Sequence, residues 1–318
     1  MMDNTVDKIA NSLSGCALPP GGIPINSTVQ KRAHFAHRLQ SPGSIVVAPG
    51  TGDGLGARLI ELAGFEAVYV SGYAIEGTFG KPDIGLLSFA EIAARLEAIA
   101  DATALPVIAD ADTGYGNAIN VMRTVRGLER TGIAALQLED QDLPKKCGSM
   151  PGKRIVTTRT MVGKIKAAVD ARTDENLLVI ARTDAMQGDG LQAAIDRLGA
   201  YREAGADLLM ALGPYDRKGA QEVIRRAPGK LAYLNAESLT MPMIAPADLQ
   251  ALGVPLVIYP TSLVLATARA MQRTLEAIRD TGTTEAMIGT DLVPPALFNE
   301  LVGLGAVRQA EARYVIED

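Results

Sequence analysis

The sequence predicts a (β/α)8 barrel, and three observations carry that prediction. Eight short apolar runs recur along the chain, at Ile45–Pro49, Ala67–Ser71, Pro106–Asp110, Ala134–Asp140, Leu177–Arg182, Ala206–Ala211, Leu231–Asn235 and Pro255–Pro260. Ala/Leu-rich amphipathic segments separate the runs, so strand-like and helix-like periods alternate. Glycines stand between helix and strand at Gly64, Gly132, Gly205 and Gly253, where the left-handed conformation that closes a helix is needed. Eight such units in 318 residues fit one closed barrel. An open doubly wound sheet is the alternative. It is weakened because Gly50-Thr-Gly52-Asp-Gly54 is out of register for a dinucleotide fingerprint and lacks its partner acid.

Taken in order, residues 1–30 are Pro/Gly/Ser-rich and read as an irregular arm, with residues 31–318 forming one domain. Ser88-Phe-Ala-Glu91 is a capping box that starts the helix before the third strand. The residues after Pro260 exceed one closing helix. They hold an amphipathic stretch, Leu265–Arg279, and a helix-like stretch from Pro295, an extension suited to subunit contact.

Composition narrows the function classes. A hydrophobic share of 47% is enough to bury a core. The net charge of −5, without a basic block, argues against nucleic acid. No apolar run is long enough to span a membrane, and the N-terminus lacks a signal-peptide pattern. Two cysteines, Cys16 and Cys147, do not make a disulfide framework, so a reducing, cytoplasmic setting is expected. His34 and His37 are the only histidines and read as ordinary residues of one helix face, which leaves little for a histidine triad or zinc site.

In a barrel the chemistry sits at the carboxyl ends of the strands. There the chain places Ser71 and Gly72, Asp110 and Asp112, Glu139 and Asp140, Arg182 and Asp184, and Asn235. Asp110-Ala-Asp112 puts two carboxylates on one side of a strand end, a conflict that a hard divalent cation settles. A solvated turn bent by Gly114 and Gly116 is the plain alternative. Acids in the middle with an Arg and hydroxyls around them outline a metal-plus-anion site. Cys147 follows Lys145 and Lys146 in a Gly-flanked loop after the fourth strand. That setting predicts a lowered thiol pKa and a group able to exchange a proton with a carbanion or enolate.

These pieces together resemble the isocitrate lyase/phosphoenolpyruvate mutase superfamily, from about Ala36 to the C-terminus. The matching segments are Tyr69-Val-Ser-Gly72, Lys81-Pro-Asp83-Ile-Gly-Leu, Asp110-Ala-Asp-Thr-Gly-Tyr-Gly116, Leu138-Glu-Asp-Gln141, Lys145-Lys-Cys-Gly148, Ala181-Arg-Thr-Asp-Ala185 and Ile258-Tyr-Pro260. The resemblance implies a barrel whose last helix swaps between subunits, usually in a homotetramer built as a dimer of dimers. It implies magnesium, with manganese as a substitute, and small 2-oxo or 2-hydroxy acids or phosphonates as substrates. It makes Asp112 the direct metal ligand, with Asp83, Asp110 and Glu139 around it. Ser71 and Gly72, with Tyr69 and Asn235 nearby, become the substrate clamp, and Arg182 a second carboxylate partner. Lys145, Cys147 and Gly148 become the closing loop, with Cys147 as acid/base.

The Cys loop favours a carbon–carbon lyase of methylisocitrate or dimethylmalate type working through an enolate. A phosphonomutase using Lys145, Lys146 and Lys153, an oxaloacetate hydrolase or decarboxylase, and a non-catalytic oxo-acid binder are the alternatives. Two departures motivate the last of these. The lyases carry His where this chain has Ser149, and Glu where it has Leu212.

Overall fold

The computed structural model describes residues 27–213, 215–237 and 241–314. Most of the expected arm, residues 1–26 with Cys16, lies outside them. The arm ends sooner than residue 30, because helix α1 (Thr28–Gln40) starts on a capping box: Ser27 Oγ accepts from Gln30 N, and Gln30 Oε1 from Ser27 N.

Eight parallel strands follow: β1 (Val46–Thr51), β2 (Val68–Val70), β3 (Val107–Asp110), β4 (Ala135–Glu139), β5 (Leu178–Thr183), β6 (Leu208–Ala211), β7 (Ala232–Leu234) and β8 (Leu256–Tyr259). Their order is β6-β5-β4-β3-β2-β1-β8-β7. A parallel bridge between Leu209 and Leu231 joins the two end strands and nearly closes the barrel. Each strand lies on its expected apolar run, with ends shifted by a residue or two as strand ends commonly are.

Between them run α2 (Gly54–Leu62), α3 (Gly72–Thr78), α4 (Phe89–Asp101), α5 (Ala118–Arg130), α6 (Thr158–Ala171), α7 (Gly190–Glu203), α8 (Arg217–Arg226) and α9 (Pro246–Ala251). Ser88 caps α4 through Glu91 as expected, a device worth about 1 kcal/mol. Gly64, Gly132, Gly205 and Gly253 all take positive φ, which a Cβ would oppose.

Strand alternation sorts the core into two shells. Val68, Val70, Val107, Ala109, Leu136, Leu138, Val179, Ala181 and Leu209 pack outward beneath the helices. Tyr69, Ile108, Ala135, Ile180, Leu208, Met210 and Ala232 fill the barrel. At the amino end α1 lies across the strands. Its buried Arg32 donates to Ile133 O at 2.8 Å and Glu129 O at 2.6 Å, and pairs with Asp174 at 3.3 Å.

After β8 come α10 (Ser262–Thr281), α11 (Pro295–Leu301) and α12 (Leu304–Tyr314). The long helix α10 has no buried residue, and Met271, Leu275 and Ile278 on it are exposed. Phe298, Val302 and Val307 are exposed further on, so this extension carries an uncovered apolar surface.

Candidate active site

The inward parity of each strand carries through to its carboxyl end and selects the site. Tyr69 leads to Ser71, Ile108 to Asp110, Gln137 to Glu139, Ile180 to Arg182, and Met210 to Leu212. A cavity of about 730 Å³, counted to its open mouth, lies over this layer. Tyr69, Ser71, Asp83, Asp110, Cys147, Gly148 and Arg182 all line it, so the barrel top and the cysteine loop do meet. Asp112, Glu139 and Lys145 lie behind that lining, joined to it through Asp83 and Arg182.

Asp110 and Asp112 converge, but not by strand alternation alone. β3 ends at Asp110, and Asp112 turns back with φ 48°. Left-handed backbone is unusual away from glycine and marks a position held by its surroundings. Asp112 O accepts from Glu139 N at 2.9 Å, and Asp112 N donates to Asp110 Oδ1 at 3.1 Å. Gly72 N donates to Asp110 Oδ2 at 3.3 Å, and a Cβ on Gly72 would meet both carboxylates. Ser71 caps α3 and is buried beside them.

Charge at the site is unbalanced. Asp83, Asp110, Asp112, Glu139 and Asp184 face Lys145, Lys153 and Arg182. Lys145 Nζ pairs with Asp83 and lies 2.6 Å from Asp112 Oδ1. Burial opposes the Lys145 charge, but Asp112 and Asp83 outweigh it and hold the ammonium well above its ordinary value. Burial pushes Asp112 up to about 7, against the pull of Lys145. Glu139 is raised well above the carboxylate range by burial, with Arg182 pulling the other way. Glu139 Oε1 is buried without a hydrogen-bond donor, and Asp112 Oδ1 has only the Lys145 ammonium beside it, in poor hydrogen-bond alignment.

Surplus acid with a buried, unpartnered Glu139 oxygen fits a small hard dication. Among the described residues, no three His, Cys, Asp or Glu side chains converge to enclose an ion by themselves.

The loop after β4 differs from expectation in one respect. Cys147 is half-buried, and burial pushes its thiol up, with the Ser149 hydroxyl at 3.3 Å pulling back. The neighbouring ammoniums do not lower it, because Lys145 is committed to the acids and Lys146 Nζ donates to Gly152 O at 3.1 Å. Cys147 N donates to Asp83 O at 2.9 Å, tying the loop to the site.

Asn235 is not brought to the cavity. It sits one residue beyond inward-facing Leu234, and its amide is spent on Ile244, donating to O at 2.7 Å and accepting from N at 2.9 Å. His34 and His37 are exposed on α1, far from the site. Three residues take on partners that only the structure shows. Gln137 donates to Asp110 Oδ1 at 3.3 Å and accepts from the Tyr69 hydroxyl at 3.2 Å. Asp184 anchors Arg182, and Lys153 reaches Asp184. Gln137 left a trace in the sequence, as one polar residue at the centre of an apolar strand.

Fold and cluster together define a (β/α)8-barrel enzyme with its site at the strand carboxyl ends. The chain belongs to the phosphoenolpyruvate phosphomutase family, whose model matches residues 35–279. It is 43% identical over 277 residues to a 2,3-dimethylmalate lyase of Eubacterium barkeri, covering 87% of this chain and 96% of that one. It is 41% identical over 282 residues to a 2-methylisocitrate lyase of Aeropyrum pernix, covering 89% and 87%. Among solved structures it resembles a phosphonopyruvate hydrolase in complex with oxalate and Mg++. That match has 32% identity and a TM-score of 0.80, covering 90% of this chain and 99% of the other.

Proposed function

We infer that the protein is a magnesium-dependent carbon–carbon lyase acting on a small 2-hydroxy dicarboxylate of dimethylmalate type. The observation that carries this reading is the half-buried Cys147 thiol, lining one cavity with Ser71, Asp110 and Arg182. A general acid must hold its proton until the bond breaks, and a thiol raised by burial does so at neutral pH. When bound, magnesium supplies Lewis-acid stabilisation of negative charge on the substrate's oxygens.

The residues divide the remaining work. Ser71 and the Gly72 backbone hold one carboxylate, and Arg182 presents a fixed guanidinium beside it. The substrate hydroxyl gives its proton to the site's carboxylate cluster, which Asp110 presents to the cavity, and becomes the carbonyl of a 2-oxo acid. The electron pair of the broken C–C bond passes to the departing fragment as an enolate. Cys147 gives that carbon its proton.

The cavity's lining favours dimethylmalate over a tricarboxylate. Leu212, Leu234, Met241 and Leu265 contribute to it, and so does Glu237. Arg182 is the sole cation among the described lining residues, so a third carboxylate would meet apolar surface and a like charge. The phosphonate alternative loses its motive, since Lys145, Lys146 and Lys153 are spent on carboxylates and loop carbonyls.

No described helix is long and apolar enough to cross a membrane. A cytoplasmic homotetramer, assembled through the apolar surface of α10 to α12, completes the proposal. The test is pyruvate release from 2,3-dimethylmalate, 2-methylisocitrate and phosphonopyruvate, and pyruvate or oxalate release from oxaloacetate, with and without magnesium. Release from dimethylmalate at least about tenfold faster than from the others is expected, a gap one apolar contact can supply. Release from phosphonopyruvate alone would overturn the reading.

A further inference from the structure

We propose that Lys153 is a positioning residue for Cys147, tying the backbone beside the thiol to the carboxylate that also orients Arg182. Its Nζ donates to Gly148 O at 2.6 Å and to Asp184 Oδ1 at 2.5 Å. The Lys153 side chain is 2% exposed and that of Asp184 is fully buried. An ammonium stays out of water only where such partners satisfy it.

The anchor is rigid. Asp184 accepts from Arg182 Nε at 2.9 Å and Nη2 at 3.1 Å, and its own amide donates to buried Asp140 at 2.9 Å. Asp140 is itself fixed by Thr183 and Tyr201, both at 2.7 Å. The tethered group is close to the chemistry, since Gly148 is the residue after Cys147.

The loop is thus held from two sides. On its leading limb Lys145 pairs with Asp83 and Asp112, and Cys147 N donates to Asp83 O. Gln141, just after β4, clamps the Lys146 backbone, accepting from its N and donating to its O, both at 2.9 Å. Lys153 reaches back from the returning limb, where Val156 N also donates to Asp140 O at 2.8 Å, and ties Gly148 O to Asp184. Without Lys153 the loop would keep its other ties and lose the one immediately after the thiol. A residue that only neutralised Asp184 would sit against Asp184 without spanning to Gly148.

The proposal uses the lyase reading only for what Cys147 does. Thiol reactivity is measured without substrate, so either idea can fail alone. The experiment uses the full chain with magnesium and compares Lys153→Met and Lys153→Arg with the parent. Cys147 alkylation by iodoacetamide is followed by peptide mass, which separates it from Cys16. Lys153→Met is expected to speed that alkylation about tenfold or more, the worth of a charge-assisted hydrogen bond. With 2,3-dimethylmalate, kcat should fall by about 10- to 100-fold with KM within about threefold. Oxalate affinity should hold within about threefold, and Lys153→Arg should restore most of the loss. Alkylation within about twofold of the parent would overturn the proposal, as would an arginine variant no better than methionine at equal melting temperature. Should Lys153→Met not fold, Lys153→Gln, which keeps a donor and drops the charge, is read the same way.

Discussion

Arg182 and Asp184 face each other across one residue as a two-bond fork, Nε to Oδ2 at 2.9 Å and Nη2 to Oδ1 at 3.1 Å. The remaining nitrogen, Nη1, lies 2.8 Å from Glu139 Oε2. Each nitrogen of the guanidinium thus faces a carboxylate, which leaves one N–H on each of Nη1 and Nη2 for a substrate. Lysine has no planar fork and cannot hold Asp184 through two parallel bonds while also reaching Glu139. Arg182→Lys is expected to cost about 3 kcal/mol of stability in denaturant titration, the scale for an unpaired buried charge. Turnover should fall by about 100-fold or more. A stability loss under about 0.5 kcal/mol would show that the fork is dispensable.

The same carboxylate sets an acid limit on the fold. Burial alone would raise Asp184, but Arg182 and Lys153 together hold it below its ordinary value. A depressed carboxyl contributes its stability in full above the unfolded value, about pH 4. That contribution disappears as pH falls through the depressed value. Denaturant titrations from pH 6 to pH 2 should show Asp184→Asn losing less stability on acidification than the parent. Parallel curves would remove Asp184 from this role.

Cys147 gives a second pH signature, with the opposite direction of shift. Its thiol lies above its ordinary value because burial disfavours the thiolate. The alkylation rate should therefore rise with pH to a midpoint above that of free cysteine, about 8.5. A midpoint below that value would restore the expectation that the neighbouring lysines activate the thiol. Cys147→Ser should abolish turnover and leave magnesium and oxalate binding intact, and an unchanged rate would end its role as acid.

Gly148 and Leu212 test how closely the loop must seat. A Cβ on Gly148 would collide with Leu212 Cδ2 and lie 2.8 Å from Arg182 Nη2. Gly148→Ala should lift the loop and reduce turnover by about tenfold, a cost of about 1.4 kcal/mol. Adding Leu212→Ala opens the space and should recover part of it. Strictly additive losses in this double-mutant cycle would mean that the two residues do not press on each other.

Much of this was legible in the sequence because it depends on local rules. The eight runs and the glycine stops at Gly64, Gly132, Gly205 and Gly253 follow from strand and helix periodicity, and the strand ends named Ser71, Asp110, Glu139 and Arg182. What misled was reading charge by nearness in sequence. Lys145 and Lys146 flank Cys147, yet where their ammoniums point is decided by Asp83, Asp112 and Gly152 O. Asn235 was read as a strand-end polar group, although the parity of Leu234 already turned it away from the cavity. Lys153 was legible only as one of three loop lysines, since its partners Gly148 and Asp184 meet it only in the folded loop.

The uncovered face of α10 bears on assembly. Met271, Leu275 and Ile278 are exposed on a helix that has no fully buried residue in the single chain and packs on the core only through its first turn. If subunits associate there, Met271→Glu with Leu275→Glu should shift the sedimenting mass toward monomer at micromolar concentration. An unchanged mass would move the interface elsewhere.

The acid surplus at the barrel mouth has a consequence for the whole chain. Carboxylates gathered at strand ends repel one another and oppose folding, and Lys145 relieves only some of that repulsion. A cation that binds there would also be a folding ligand. A free concentration a hundredfold over Kd would add about 2.7 kcal/mol to the folded state, so the melting temperature should climb with the logarithm of the magnesium concentration.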